Sequence, residues 1–338
     1  MSKALQGLLG RQHLRYRRWL LALVLVLLGA VLLSLQSGAV GVGLDVLWRP
    51  VSALEQQVFW QLRLPRTLLA VLVGGSLALC GAVLQVLLHN PLAEPGLIGI
   101  SSGASLAAVL TLSLAGWLGW QLPHWGVSLA AFAGALVVTV LLLLLARRRL
   151  GQSGLLLFGV AVGIFANAIL TWLLYLADDA SMRTFLFWMM GSLGYGQRLS
   201  WGWWVPAMVA LLWLVRQGRQ LDLLALGEQQ ARLLGLNAQA LRPKLVLAVC
   251  LLTAFSVAMA GVIGFVGLVV PHLLRLLAGG RQRFLLPASA LAGAALLVLA
   301  DVLARQTLIT GELPIGAVTS TLGAPVFVWL LVKRHADA

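Results

Sequence analysis

The sequence predicts an all-α, polytopic membrane protein with about ten transmembrane helices. Three observations lead there. Of 338 residues, 61% are hydrophobic and only 10% are charged. Mean hydropathy is +0.97, more apolar surface than a soluble domain hides. Apolar runs of roughly 18 to 25 residues recur, the length that crosses a bilayer as helix. Finally, the basic residues sit between those runs, in a pattern that alternates along the chain.

The first run, Trp19 to Leu35, follows Arg11, Arg15, Arg17 and Arg18. Its length, and the lack of a small-residue cleavage pattern after it, predict a retained helix rather than a signal peptide. The runs as a set predict helices at 18–37, 63–88, 97–115, 124–146, 152–177, 199–216, 239–261, 264–278, 284–307 and 312–332. The eighth is short. With the N-terminus inside, most of the 24 basic residues fall on the cytoplasmic side. Arg49, Arg63, Arg66, Arg183, Arg198 and Arg305 are the exceptions. That bias follows the positive-inside rule and places both termini in the cytoplasm. A net charge of +14 invites a nucleic-acid reading, but the alternation assigns the charge to a lipid bilayer. No soluble domain separates out. Residues 1–338 read as one transmembrane domain, with the longest non-spanning stretches at 38–62, 178–198 and 217–238.

One of those stretches, Asp222 to Asn237 (DLLALGEQQARLLGLN), is too polar to span. Glu228 and Arg232 are four apart and can pair on one helix face. Leu226, Leu233 and Leu234 fall on another, and Gly235 stands where a helix ends. This predicts a short amphipathic helix on the membrane surface, gripped by a soluble partner. The chain then reads as a transport subunit driven from outside itself. Its own lysines, Lys3, Lys244 and Lys333, never follow a glycine, so a Walker A phosphate loop is excluded. No nucleophile–base pair or metal-ligand spacing is visible, and no cofactor is implied. Cys80 and Cys250 lie far apart in apolar runs and read as buried small side chains.

Other signals carry two readings each. In the second helix Gly74, Ala78 and Ala82 form a small face for close helix approach. At the break HNPLAEPG, Pro91 and Pro95 forbid a continuous helix. An ordinary tight hairpin and a constriction at the inner mouth of a pathway both fit. Gly159, Gly163, Asn167 and Thr171 recur every four residues in the fifth helix; Gly316, Ser320 and Ala324 do so in the tenth. Helix packing and a pathway wall that does not grip its cargo both suit such stripes. Asp301 is an ionisable residue near the outer half of the ninth helix, with Arg305 four residues on as a local partner.

RLPR, NPLAEPGLIGISSGA, LLALGEQQARLLGL, GFVGLVVPHLLRL and ELPIGAVTSTLGAPVFVWLL occur in order. These blocks resemble, over nearly the whole chain, the iron-siderophore and cobalamin permease family of bacterial ABC importers. A finer resemblance, to that family's cobalamin permeases, is carried by WQLRLPRT, FWMMGSLG at 187–194 and VLADVLAR at 298–305. The resemblance implies a type II importer fold in the bacterial inner membrane. It implies a homodimer, two copies of a separate cytoplasmic ABC ATPase, and a periplasmic binding protein that delivers substrate. It makes 222–237 a coupling helix, with Gly227, Glu228, Ala231, Leu234 and Gly235 at the ATPase surface. It makes Arg63, Arg66 and Arg305 docking positions for acidic residues of the binding protein. It places an inner gate at Asn90, Pro91 and Leu92 and at the turn containing Gln152 and Ser153. That turn is poorer in hydroxyls than the family pattern, so Gln152 departs from it. Helices five and ten line the path. A ferric-siderophore or haem permease has the same architecture. An ion-coupled secondary transporter is the rival of another class, and it needs a membrane-buried acid free to act.

Overall fold

The structure, a computed structural model, describes residues 3–38, 43, 46, 52–123, 125–147, 152–194, 202, 204–307 and 312–336. Among them every regular element is helical. In chain order these are α1 (Lys3–Gln36), α2 (Ala53–Gln57), α3 (Leu64–Leu87), α4 (Ile100–Leu118), α5 (Gly126–Arg147), α6 (Gln152–Leu176), α7 (Asp179–Met189), α8 (Trp204–Arg216), α9 (Gly218–Leu224), α10 (Glu228–Leu233), α11 (Ala238–Ala260), α12 (Val266–Ala278), α13 (Gln282–Gln306) and α14 (Ile315–Ala336). Seven helical stretches are long and apolar enough to cross a membrane, and the shorter apolar helices Trp204–Arg216, Val266–Ala278 and Ile315–Trp329 complete the expected set.

The hydrophobic pattern is inverted relative to a soluble protein. Leu157, Ile164, Phe165, Trp172 and Tyr175 of α6 are all exposed. Lipid is as good a solvent for these side chains as a core, so burial of apolar area does not order the bundle. Small residues do. α3 is buried almost throughout. A Cβ on Gly74 would collide with the Gly293 carbonyl of α13, and one on Gly81 with the Gly267 backbone of α12. The glycines at these crossings let α3 sit at the centre with α11, α12 and α13 against it.

Two departures from expectation are local. The second span starts early, because a π-helical turn at Val58–Arg63 joins α2 to α3 without a break. Ser52 and Glu55 form a reciprocal capping box that begins it. The polar segment 222–237 is not one helix. Gly227, at φ 106°, splits it into α9 and α10. That conformation is open to glycine and strained for other residues.

Candidate functional site

The C-terminal ends of α1 and α13 and the N-terminal end of α3 meet in a buried ionic cluster. Asp301 is 1% exposed, and a carboxylate so placed must be compensated. Arg66 supplies part of the charge: its Nε and Nη2 donate to Asp301 Oδ1 at 2.9 and 2.8 Å. Its Nη1 donates to Glu312 Oε1 at 2.8 Å. Arg305 Nε lies 3.0 Å from Asp301 Oδ2. The remaining Arg305 donors reach Ser34 Oγ at 2.8 Å and the Ser37 carbonyl at 3.2 Å. Arg63 is buried as well and donates to the Leu35 carbonyl at 3.0 Å. The i,i+4 pair Asp301–Arg305 is present as expected. The Arg66 bond, across 235 residues, had no local signal.

The three arginines are largely internal to the chain. Arg66 and Arg305 have most of their donors committed to the chain's own Asp301, Glu312 and α1. Only the edge of the cluster faces out, where Glu312 is half exposed. Three guanidiniums stand against two carboxylates, so this edge keeps excess positive charge.

At the other face, α3 ends at a turn built by a side chain. His89, at φ 45°, takes the left-handed conformation that reverses the chain. Asn90 Oδ1 accepts the Leu92 N–H at 2.9 Å, an Asx turn that fixes Pro91 between them. Leu92 projects outward and is 37% exposed. Glu94 follows; burial pushes its carboxyl above the ordinary range, opposed by the Phe265 backbone N–H that faces it. Gln152 and Ser153 open α6, but their side chains lie outside the described residues.

The segment 222–237 and the end of α9 turn one face inward: Leu221 and Leu224 of α9 and Ala231 of α10 are fully buried. Leu226, Leu233 and Leu234 point out instead, at 59%, 88% and 59% exposure. Gly227 and Gly235, both at positive φ, bracket α10. Arg232 donates to Glu228 at 2.7 Å, and Arg242 of α11 lies 3.2 Å from the same carboxylate. Asn237 Oδ1 accepts from Ala240 N–H and caps α11.

The small-residue stripes divide. Gly159 packs on the backbone of Leu97 and Ile98, and Gly316 on the carbonyls of Met190 and Val262. The Gly316 N–H donates to Met190 at 3.0 Å. These two glycines are spacers between elements of this chain. Gly163, Ser320 and Ala324 are half-buried, while Asn167 and Thr171 are exposed. Thr171 returns its hydroxyl to the Asn167 carbonyl at 2.8 Å, which hides its donor from anything passing.

The family model of the FecCD transport family matches residues 22–333. The chain belongs to the FecCD transport family. It is 52% identical over 336 residues to the vitamin B12 import system permease protein BtuC of Serratia proteamaculans, covering 98% of each chain. To the protein of the same name from Salmonella typhi it is 49% identical over 324 residues, covering 96% of this chain and 97% of the other. A solved structure of a metal-chelate type ABC transporter in an inward-facing conformation superposes with a TM-score of 0.82 at 32% identity, over 94% of this chain and 99% of that one.

Proposed function

We propose that this FecCD-family permease carries vitamin B12 inward across the bacterial inner membrane, as the membrane-spanning subunit of an ATP-driven importer. The observation that carries the substrate is identity near one half, over almost the full length, to vitamin B12 import permeases. A metal-chelate substrate is the second reading, because the superposing structure belongs to a transporter of that type; its 32% identity is the weaker support. An ion-coupled carrier is disfavoured by geometry. Asp301 is clamped between Arg66 and Arg305 and has no freedom to take up and release a coupling ion.

The working unit is a homodimer with two cytoplasmic ATPases and a periplasmic binding protein, both termini lying inside. The path runs between the two copies, along the exposed parts of α6 and α14. Asn167, Thr171, Gly163, Ser320 and Ala324 offer it a wall of small or internally satisfied groups. A large cargo leaves such a wall easily, so the affinity has to come from the binding protein. The turn at Asn90–Leu92 and the start of α6 at Gln152 and Ser153 close it at the inner mouth. The ATPase seats on α10, between Gly227 and Gly235, with Leu226, Leu233 and Leu234 as its apolar contact and Glu228 beside them. Arg63, Arg66 and Arg305 attract an acidic binding protein through the excess charge of their cluster, not by direct pairing of each arginine.

Uptake of labelled cobalamin into proteoliposomes tests this, with the cognate ATPase and binding protein present. Uptake should need ATP and should be competed by unlabelled cobalamin but not by ferric siderophores. Competition by a ferric chelate, with none by cobalamin, selects the second reading.

A further inference from the structure

The element linking the coupling segment to the inner turn is α12, and its attachment to the turn has an unusual cause. α12 carries Pro271 in its interior. Proline has no N–H, so the carbonyl four residues earlier, on Gly267, loses its helical donor. A buried carbonyl left that way is costly. Gln85 of α3 fills the gap. It is 4% exposed, and its Nε2 lies 3.5 Å from the Gly267 and Leu268 carbonyl oxygens. Its Oε1 accepts from Arg275 Nη2, two turns further along α12, at 3.0 Å. The Gly81–Gly267 backbone crossing lies alongside.

The same residue reaches the turn directly. The Gln85 main-chain carbonyl accepts the Asn90 N–H at 3.2 Å. Glu94, beyond the turn, faces the Phe265 N–H immediately before α12. The turn is thus tied to α12 on both flanks. At its other end α12 passes through Gly279, at φ 109°, into α13. There Asp222, the first residue of the coupling segment, accepts the Gln282 N–H at 2.5 Å and lies 4.0 Å from Arg281. An acid at that position caps the N-terminus of α13. From the other side α1 holds the joint, where Arg15 donates to the Leu277 carbonyl at 2.8 Å and Tyr16 stacks on Phe284.

We propose that Gln85 is a positioning residue: the pin through which α12 sets the turn at Asn90–Leu92, so that movement of the coupling segment reaches that turn. The proposal rests on the reading of 222–237 as the ATPase-coupled segment and of Asn90–Leu92 as a gate. Gln85 touches neither cargo nor nucleotide. It acts by carrying three α12 contacts on its side chain, to the Gly267 and Leu268 carbonyls and to Arg275, and one turn contact on its backbone.

The test uses the complete permease–ATPase complex in vesicles. A Leu92→Cys permease carries a spin label on each copy, and the native Cys80 and Cys250 are both buried, which keeps labelling selective. With Gln85 intact, ATP should shift the distance between the two labels. In Gln85→Leu the side-chain bonds are gone but the backbone bond remains. The shift should vanish, and in the otherwise unaltered permease uptake per ATP hydrolysed should fall about fivefold or more, the low end of coupling between sites. ATPase capture should stay close to wild type, and detergent melting should fall only modestly, because the Gly267 carbonyl is left without its donor. Gln85→Glu keeps the acceptor for Arg275 and loses the donor to Gly267, so it should fall between. If Gln85→Leu does not insert, Arg275→Met removes one side-chain contact from the α12 side and should also reduce the shift.

A Gln85→Leu complex with wild-type shift and wild-type uptake per ATP overturns the proposal. Loss of ATPase capture together with the shift makes Gln85 a folding residue and also overturns it. Absence of the shift in the Gln85 control removes the gate reading itself, and the pin with it. That outcome is recognisable because it occurs before Gln85 is changed.

Discussion

The two faces of this protein carry ionic clusters made of the same residue types under opposite conditions. At the face proposed as outer, Asp301 is 1% exposed, and the Arg66 and Arg305 side chains are buried beside it. At the face proposed as inner, Glu228 and Arg232 are 34% and 53% exposed. A buried carboxylate gives up its hydration and is held only by its partners. A hydrated pair gains and loses little as it forms and breaks. The outer cluster therefore fixes where α1, α3 and α13 stand, whereas the inner one permits rearrangement. This is the division expected if the inner face is the one that moves.

The comparison breaks most easily at Asp301. Asp301→Ala leaves Arg66 and Arg305 buried with Glu312 as the remaining carboxylate of the cluster. Removing one partner of a buried ion pair costs about 3–5 kcal/mol. Thermal melting of the purified permease in detergent should fall sharply, with less protein inserted. If Asp301→Ala melts with the wild type, the outer cluster is not a structural anchor. Leu233→Asp should act on the opposite property. Leu233 is 88% exposed, so its loss costs the fold little. As the centre of an apolar contact it should weaken ATPase capture by about 2 kcal/mol, roughly thirtyfold. Normal capture by Leu233→Asp would show that the ATPase seats elsewhere.

The legible parts of this molecule are those with a local cause. Hydropathy placed the ten spans because each is a contiguous run. The reversal after α3 was visible in Pro91 and Pro95, and Asp301–Arg305 in its four-residue spacing. Contacts between distant segments left no trace. Arg66 gives no sign that its carboxylate lies 235 residues away. Gln85 reads as one polar residue in an apolar helix until Pro271 is seen to free the Gly267 carbonyl. The segment 222–237 departs from the single helix its periodicity predicts, although Leu226, Leu233 and Leu234 do lie apart from the Glu228–Arg232 pair; a periodicity argument on one helix cannot say which face is buried. Gly227 was the available sign that the segment breaks. Its neighbours Leu221 and Leu224 then take the buried positions.

Smaller effects sharpen the contrast. Glu228 has two partners, Arg232 and Arg242. Glu228→Gln should lower stability by about 1 kcal/mol in low salt, and by less as salt screens both pairs. Melting at two ionic strengths measures this. A loss as large as that of Asp301→Ala, unchanged by salt, would erase the distinction between the two faces.

The smallest expected effect has the opposite sign. Glu312 is the exposed member of the outer cluster, its side chain half accessible, while Asp301 is sealed beneath it. Glu312→Gln keeps an oxygen that can accept from Arg66 Nη1 and removes one negative charge from the surface. The cluster should stay assembled, so melting should hardly change. The outward face becomes more positive, and an acidic binding protein should dock more tightly. An exposed charge is worth about 0.2–1 kcal/mol, which corresponds to roughly a 1.4- to fivefold gain in affinity at low salt and less at high salt. The measurement is the affinity of the permease–ATPase complex for its binding protein at two ionic strengths. Weaker docking by Glu312→Gln would mean that Glu312 itself makes a favourable contact. The excess charge of Arg63, Arg66 and Arg305 would then not be what draws the partner in.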